Sequence, residues 1–235
     1  MKPCGAVLIV ALAARSAALS PSAVAAPPWL RQFFEPVDRP LVARPDGVRV
    51  RRGLAADAPR IKELWAENVG PCTLGDAWSA GGIETAFAPR FRDGRCRATS
   101  AVAYSKDREM VGFAAATASD EPFNNVGPLV RWRDVVDDDD RVARALLGPV
   151  CVAASERGSG LFRDLYAGLL VHSRDLEDVA EGVVLIHADN AASLAAHSKL
   201  AGCREAGRFR STDDRPWVVL VLDLEAARAD LRGAD

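Results

Sequence analysis

Cysteine, histidine and aromatic residues are scarce in this 235-residue chain. Its five cysteines lie at no regular spacing and form no Cys-x-x-Cys pair, which argues against a zinc ribbon or a thioredoxin-type redox site. Three scattered histidines predict no metal site. Hydrophobic residues at 49% and charged residues at 26% exclude a disordered chain or a disulfide scaffold, and the length favours one domain.

An excess of charge and a long apolar run are also missing. The 30 Lys and Arg residues against 32 Asp and Glu give a net charge of −2, too even for a dedicated nucleic-acid or membrane-surface binder. The apolar run at residues 5–14 is shorter than the roughly 20 residues that a membrane-spanning helix needs. We therefore expect no membrane span in the mature chain.

The N-terminal segment has the pattern of a leader. Lys2 precedes the apolar run, and Ala23-Val24-Ala25 offers a small-residue cleavage site, which is typical of a secretory signal peptide. We predict a signal or transit peptide over residues 1–26, leading into the secretory pathway and onward to a plastid if a transit segment follows. A buried N-terminal helix in a cytoplasmic protein is the alternative.

The rest of the chain divides by composition. Residues 27–47 are proline-rich and predict a linker, 48–224 a single domain, and 225–235 a polar C-terminal helix. Hydrophobic periodicity predicts six strands and four helices inside the domain. The strands are at 48–52, 100–104, 110–119, 146–153, 183–186 and 217–224, and the helices are at 57–67, 85–91, 160–174 and 190–200. The strand-helix-strand order after residue 146 predicts a parallel pair with a right-handed crossover.

One segment carries most of the chemical information. A buried strand ending at Val152 enters a glycine-bearing turn that opens a helix at Leu161. The first N–H groups of a helix have no internal partners, and the helix dipole adds partial positive charge there. Gly158 and Gly160 would let the backbone approach a diphosphate, and Arg157 could add a charge-assisted contact. The turn lacks the Lys-Ser/Thr of a triphosphatase loop, and a plain glycine turn is the alternative.

This loop resembles the phosphate loop of the GNAT acetyltransferase superfamily. The family pattern is Arg/Gln-x-x-Gly-x-Gly/Ala after a valine-rich strand, matched by Arg157-Gly158-Ser159-Gly160-Leu161-Phe162, with Phe162 in place of the last small residue. The segment from Asn190 to Leu200 is similar to the family's second coenzyme segment, and the resemblance spans about residues 48–224. It implies an α/β domain with a mixed, mostly antiparallel sheet of six to seven strands. A parallel pair would splay at the cofactor site, with helices on both faces.

The resemblance also implies acetyl-CoA as the cofactor and coenzyme A as a product. The backbone of Val150, Cys151 and Val152 would line the pantetheine arm, and Asn190 would meet the coenzyme from the neighbouring strand. The phosphate loop, with Arg157, Gly158, Ser159, Gly160, Leu161 and Phe162, would hold the pyrophosphate. The implied reaction is N-acetyl transfer to a small-molecule or peptide amine by direct attack in a ternary complex, with orientation as the main source of rate.

The catalytic residues depart from the family pattern. His197 stands where a tyrosine commonly protonates the leaving thiolate, and it could act as that acid or simply pack in its helix. No carboxylate falls within 146–153, so His187 or Glu121 could relay the amine proton through water. The alternatives are a capped strand end for His187 and a surface charge for Glu121. Phe123 and Trp132 could wall the acceptor pocket.

Two other functions compete with acetyl transfer. The missing tyrosine and base are compatible with a catalytically silent GNAT-like module that binds acyl-CoA. An unrelated α/β nucleotide-binding enzyme is the second alternative. The loops at 70–97 and 120–144, which would set acceptor specificity, show no decodable pattern, so the sequence predicts neither the amine nor the oligomeric state.

Overall fold

The computed structural model describes residues 40–68, 96–119, 136, 142–173, 176–212 and 214–233. These residues form one eight-stranded sheet in the order β1-β2-β3-β4-β5-β6-β8-β7. Its strands are β1 (Val42–Ala43), β2 (Arg49–Arg52), β3 (Cys96–Tyr104), β4 (Met110–Ser119), β5 (Arg144–Val152), β6 (Glu181–His187), β7 (Cys203–Arg210) and β8 (Pro216–Asp223). The helices are α1 (Ala58–Asn68), α2 (Leu161–Leu170), α3 (Ala191–His197) and α4 (Leu224–Arg232).

Helices cover both faces of the sheet. Alternate residues of β3 point to opposite faces, with Ala101 and Ala103 in the core under α2 and α4 and Val102 in the core under α1. Gly168 lets α2 approach β2 closely, because a Cβ there would lie 2.9 Å from Val50 Cγ1. The α4 helix is amphipathic, and it adds Leu224, Ala227 and Leu231 to the core.

The predicted mixed α/β sheet is confirmed, including its single parallel pair, β5 with β6, among antiparallel neighbours. The described strand count is eight rather than six to seven. One added strand, β1, lies within the predicted linker 27–47, where Val42 and Ala43 pair with Val50 and Arg49 of β2. The other, β7, occupies the opposite edge, and its polar sequence carries a register shift between Glu205 and Gly207 that disturbs strand alternation.

The parallel pair separates soon after it forms. β5 and β6 are in register only at Arg144↔Glu181, Ala145↔Gly182 and Leu146↔Val183. Beyond these pairs β5 continues along β4, and Gly148 and Pro149 bulge opposite Ala115. β6 meanwhile follows β8 as far as His187↔Trp217. The sheet therefore opens a cleft between the C-terminal halves of β5 and β6.

Candidate functional site

One wall of the cleft is the exposed backbone edge of β5. Val150, Cys151 and Val152 pair with β4 on one side, opposite Ala114, Phe113 and Gly112. Within the described residues, no strand lies along their other side, because the register with β6 ends at Leu146. Backbone donors and acceptors on that side are available to an extended ligand, as at a sheet edge.

The chain then turns into α2 through a loop that exposes its amide groups. Gly158 and Gly160 have φ angles of 82° and 91°, which L side chains rarely adopt, and no atom of the described residues lies within 4 Å of where a Cβ would stand on either. In the part of the chain that the structure describes, the N–H groups of Gly158, Gly160 and Phe162 have no protein acceptor. Together with the N-terminus of α2, they form an open cradle of donors suited to an anion.

A cation from the first hairpin flanks this cradle. Arg44, which follows β1, places Nη1 3.1 Å from Ser159 Oγ and 3.4 Å from Asp164 Oδ2. Its Nη2 lies 2.9 Å from Asp46 Oδ2. Burial raises the pKa of the Asp164 carboxyl, and the charge of Arg44 opposes that shift.

The last residue of α1 fastens the start of the loop. Asn68 Oδ1 accepts a hydrogen bond from Ala154 N–H at 2.9 Å, while Asn68 Nδ2 donates to Leu64 O at 2.9 Å. The exposed guanidinium of Arg157 points the same way, with Nη2 3.5 Å from both Asn68 O and Asn68 Oδ1. Arg157 is thus held against the C-terminal end of α1, a favourable place for a cation.

His197 is buried rather than open to a ligand. Its Nδ1 lies 2.8 Å from Ser193 O, which can only accept, so Nδ1 carries the proton and Nε2 accepts from Tyr166 Oη at 2.7 Å. Burial lowers the pKa of His197 to about 4, so the ring is neutral near pH 7. Phe162 turns inward and packs against both rings, with centroids 4.7 Å from Tyr166 and 4.8 Å from His197. This geometry weighs against His197 as the acid that protonates a thiolate.

The remaining predicted residues lie apart from this pair. His187 is half-buried at the end of β6, where Nδ1 accepts from Asp189 N–H at 3.3 Å, and its ring meets Trp217 edge-on at 5.5 Å. The indole N–H of Trp217 is buried and has no acceptor among the described residues. Asn190 caps α3 by accepting from Ser193 N–H, and its side chain is exposed. Glu121, Phe123, Trp132, the 85–91 helix and the 1–26 leader lie outside the described residues.

Cys151 lies on the cleft-lining part of β5 but is inert. Its thiol is buried under α1, and burial raises its pKa to about 12. A thiol with this pKa is protonated at neutral pH and is a poor nucleophile. The described ranges hold no cluster of His, Cys, Asp or Glu arranged to bind a metal ion, and they hold no helix long and apolar enough to cross a membrane.

Sequence reasoning missed three residues around the loop. Arg44 and Asn68 lie 115 and 86 positions from their partners Ser159 and Ala154, and no local pattern signals such contacts. From the sequence, Tyr166 is predicted only to be a buried residue on the apolar face of an amphipathic helix. The sequence places His197 in the helix that follows Asn190, but it gives no sign of the Tyr166 partner.

No protein-family model matches the sequence, and no curated protein matches it significantly. Solved structures do match. NAA60 from Arabidopsis thaliana, in complex with a bisubstrate analogue, is 13% identical over 75% of this chain and 97% of its own, with a TM-score of 0.55. YncA from Salmonella typhimurium, with its cofactor acetyl-CoA, is 19% identical over 76% and 94%, with a TM-score of 0.54.

A third match is the ribosomal-protein-alanine N-acetyltransferase from Brucella melitensis. It is 22% identical over 74% of this chain and 98% of its own, with a TM-score of 0.52. All three matches cover nearly the whole of the solved chain, and because identity is low the likeness is one of fold alone. The chain therefore has the fold of the GNAT acetyltransferase superfamily, as its phosphate-loop motif predicts.

Proposed function

We propose that this protein is an N-acyltransferase that moves an acetyl group from acetyl-CoA to an amine. The observation that carries the proposal is the continuity of two features. The cleft beside Val150–Val152 runs directly into the open amide cradle at Gly158, Gly160 and Phe162. Coenzyme A has the same order of parts. Its extended pantetheine arm would lie along the strand edge, and its diphosphate would lie in the anion site.

The residues present fit coenzyme A. The free β5 edge offers backbone partners for the amide groups of pantetheine, and the donors of the cradle would hold the diphosphate. Among the described residues, no atom lies near the Cβ position of either glycine, so the backbone can approach a phosphate. Arg157, Ser159 and Leu161 belong to the same loop, and Asn190 lies at the start of α3.

Bound acetyl-CoA would supply the acetyl group as an activated thioester. The chain's part is to hold the thioester and the amine in one cleft, which favours direct attack through orientation. A backbone N–H at the end of β5 would polarise the carbonyl. The protonated Cys151 supports direct transfer, because a thiol with its pKa raised to about 12 does not form a covalent acyl-enzyme.

The acceptor is an amine of unassigned class. One of the similar structures named above is a ribosomal-protein-alanine N-acetyltransferase, which supports a protein amine as one acceptor class to test. His187 is the described candidate for relaying the amine proton, since it stands half-buried at the end of β6. Glu121 is the second candidate.

The test is a panel of amines incubated with acetyl-CoA and a thiol-detecting dye, covering polyamines, aminoglycosides and peptide N-termini. We expect thiol release with at least one class. Gly160→Arg is the site variant, because its side chain would occupy the open space above the cradle. It should abolish coenzyme A binding without unfolding the domain. Unchanged affinity in this variant would remove the loop from the site.

A silent acyl-CoA-binding module is the second candidate, and one observation favours it. The imidazole at the expected acid position is neutral and already engaged by Ser193 and Tyr166. That candidate predicts coenzyme A binding by calorimetry with no thiol release from any amine. A protein that binds adenine nucleotides as tightly as coenzyme A would instead point to an unrelated nucleotide enzyme.

A further inference from the structure

Arg44 contacts the side chain of Ser159 in the phosphate loop. It belongs neither to β5, which precedes that loop, nor to α2, which follows it. It lies in the turn between β1 and β2, 115 residues before Ser159. Its side chain is only 17% exposed and is held by Asp46 and Asp164 on either side. A long, flexible side chain fixed in this way has already lost most of its rotamer entropy, so it is preorganised.

The contact with Arg44 determines which way the Ser159 hydroxyl can donate. Ser159 Oγ accepts from Arg44 Nη1 at 3.1 Å and from Leu161 N–H at 3.4 Å. A hydroxyl has two acceptor lone pairs and one proton, and Arg44 has no acceptor to receive that proton. With both lone pairs engaged, the Ser159 O–H is directed away from both donors. It is then available to an anion at the loop.

We propose that Arg44 is a positioning residue for the diphosphate of the coenzyme, acting through Ser159. It turns the serine hydroxyl into a fourth donor beside the N–H groups of Gly158, Gly160 and Phe162, and it places a fixed positive charge next to the cradle. This inference rests on the proposed coenzyme A site. It predicts that Arg44, which lies before the region of sequence resemblance, contributes to coenzyme affinity.

Asp46 and Asp164 have a defined part in this arrangement. They hold the guanidinium by ion pairs at 2.9 and 3.4 Å, and Asp164 stands in the first turn of α2. An anionic ligand would compete with these carboxylates for the charge of Arg44. Asp164→Asn should therefore bind coenzyme A more tightly than the unaltered protein, the opposite direction from Arg44→Gln.

The experiment measures dissociation constants for coenzyme A, dephospho-coenzyme A and pantetheine by calorimetry on the full chain. We expect Arg44→Gln to weaken the first two ligands equally, by about tenfold, as for loss of a charge-assisted contact. Pantetheine, which lacks the diphosphate, should bind unchanged. Arg163→Gln is the matched control. Arg163 also carries a positive charge and stands in the first turn of α2, but it is paired with Asp230 of α4 and not with Ser159. It should change affinity by no more than about twofold.

Ser159→Ala provides a second route that does not disturb the hairpin. It should reproduce part of the loss, and the Arg44→Gln/Ser159→Ala double variant should lose less affinity than the sum of the two single losses, because part of the effect of Arg44 passes through Ser159. Additive losses, or a loss confined to coenzyme A with its 3′-phosphate, would overturn the route through Ser159. Equal affinity in Arg44→Gln and the unaltered protein would overturn the inference alone. Absence of binding in the unaltered protein would overturn the proposed function and this inference with it.

Discussion

The Tyr166–His197 pair shows how a residue in a catalytic sequence position can have a structural role. His197 is 3% exposed and Tyr166 is fully buried, and each supplies the hydrogen-bond partner that the other needs. A buried polar group without a partner is destabilising, so the two side chains depend on each other. The inward ring of Phe162 closes the pair from the side of the phosphate loop.

This dependence predicts the behaviour of His197→Phe. The variant leaves the Tyr166 hydroxyl without an acceptor and should lower the free energy of unfolding by about 1–3 kcal/mol. Tyr166→Phe should have a similar effect, and the double variant should recover part of the loss because both polar groups are then absent. Denaturant unfolding measures all three. Unaltered stability together with a collapse of turnover would return His197 to the catalytic acid role that its sequence position indicates.

Among the helices, α1 has a role that its own sequence does not reveal. Its periodicity predicts a packed helix, and Ile61 and Leu64 do pack against the sheet. Its last residue, however, joins the helix to the start of the phosphate loop through Asn68 Oδ1 and Ala154 N–H. The C-terminal end of α1 therefore helps to fix the loop that opens α2.

Asn68→Ala tests this connection between elements. Loss of the acceptor for Ala154 N–H should loosen the loop and weaken coenzyme A binding by about fivefold, with a small change in melting temperature. Asn68→Asp is the control, because it keeps an oxygen for Ala154 and loses only the donor to Leu64 O. It should retain affinity within about twofold, since Arg157 can neutralise the added charge. Equal weakening in both variants would assign the effect to the helix end rather than to the loop.

For the domain as a whole, sequence patterns were informative where burial is periodic. The apolar runs of β5, β6 and β8 and the amphipathic face of α2 predict the parallel pair and the loop between its strands, and the structure confirms the mixed sheet. The two edge strands were not predicted, because neither has a regular apolar alternation. β1 has only two residues, and β7 is charged, half exposed and shifted in register between Glu205 and Gly207. Arg44 and Asn68 escaped it because a polar contact between distant segments leaves no local period.

The stability of the domain at acid pH depends directly on the protonation of the buried His197 imidazole. The pKa of His197 is about 6.5 in an unfolded chain and is lowered to about 4 by burial in the fold. Between these values the unfolded chain binds a proton that the folded chain does not. Stability from this group is therefore complete above pH 6.5 and is lost as pH falls towards 4. The loss amounts to roughly 3 kcal/mol at the acid end.

Carboxylates also change the dependence of the unfolding free energy on pH. Comparing the unaltered protein with His197→Phe isolates the contribution of the histidine. Burial alone would raise the pKa of Asp57, but hydrogen bonds from Arg51, Tyr104 and Leu54 N–H hold it below 3.8, so its contribution is lost only at lower pH. The raised pKa of Asp164 acts with the opposite sign, equally in both proteins. We expect the difference in unfolding free energy between the unaltered protein and His197→Phe to shrink steadily as pH falls from 6.5 to 4. Parallel curves across that range would mean that the imidazole is accessible to protons in the folded state, which its packing between Phe162 and Tyr166 opposes.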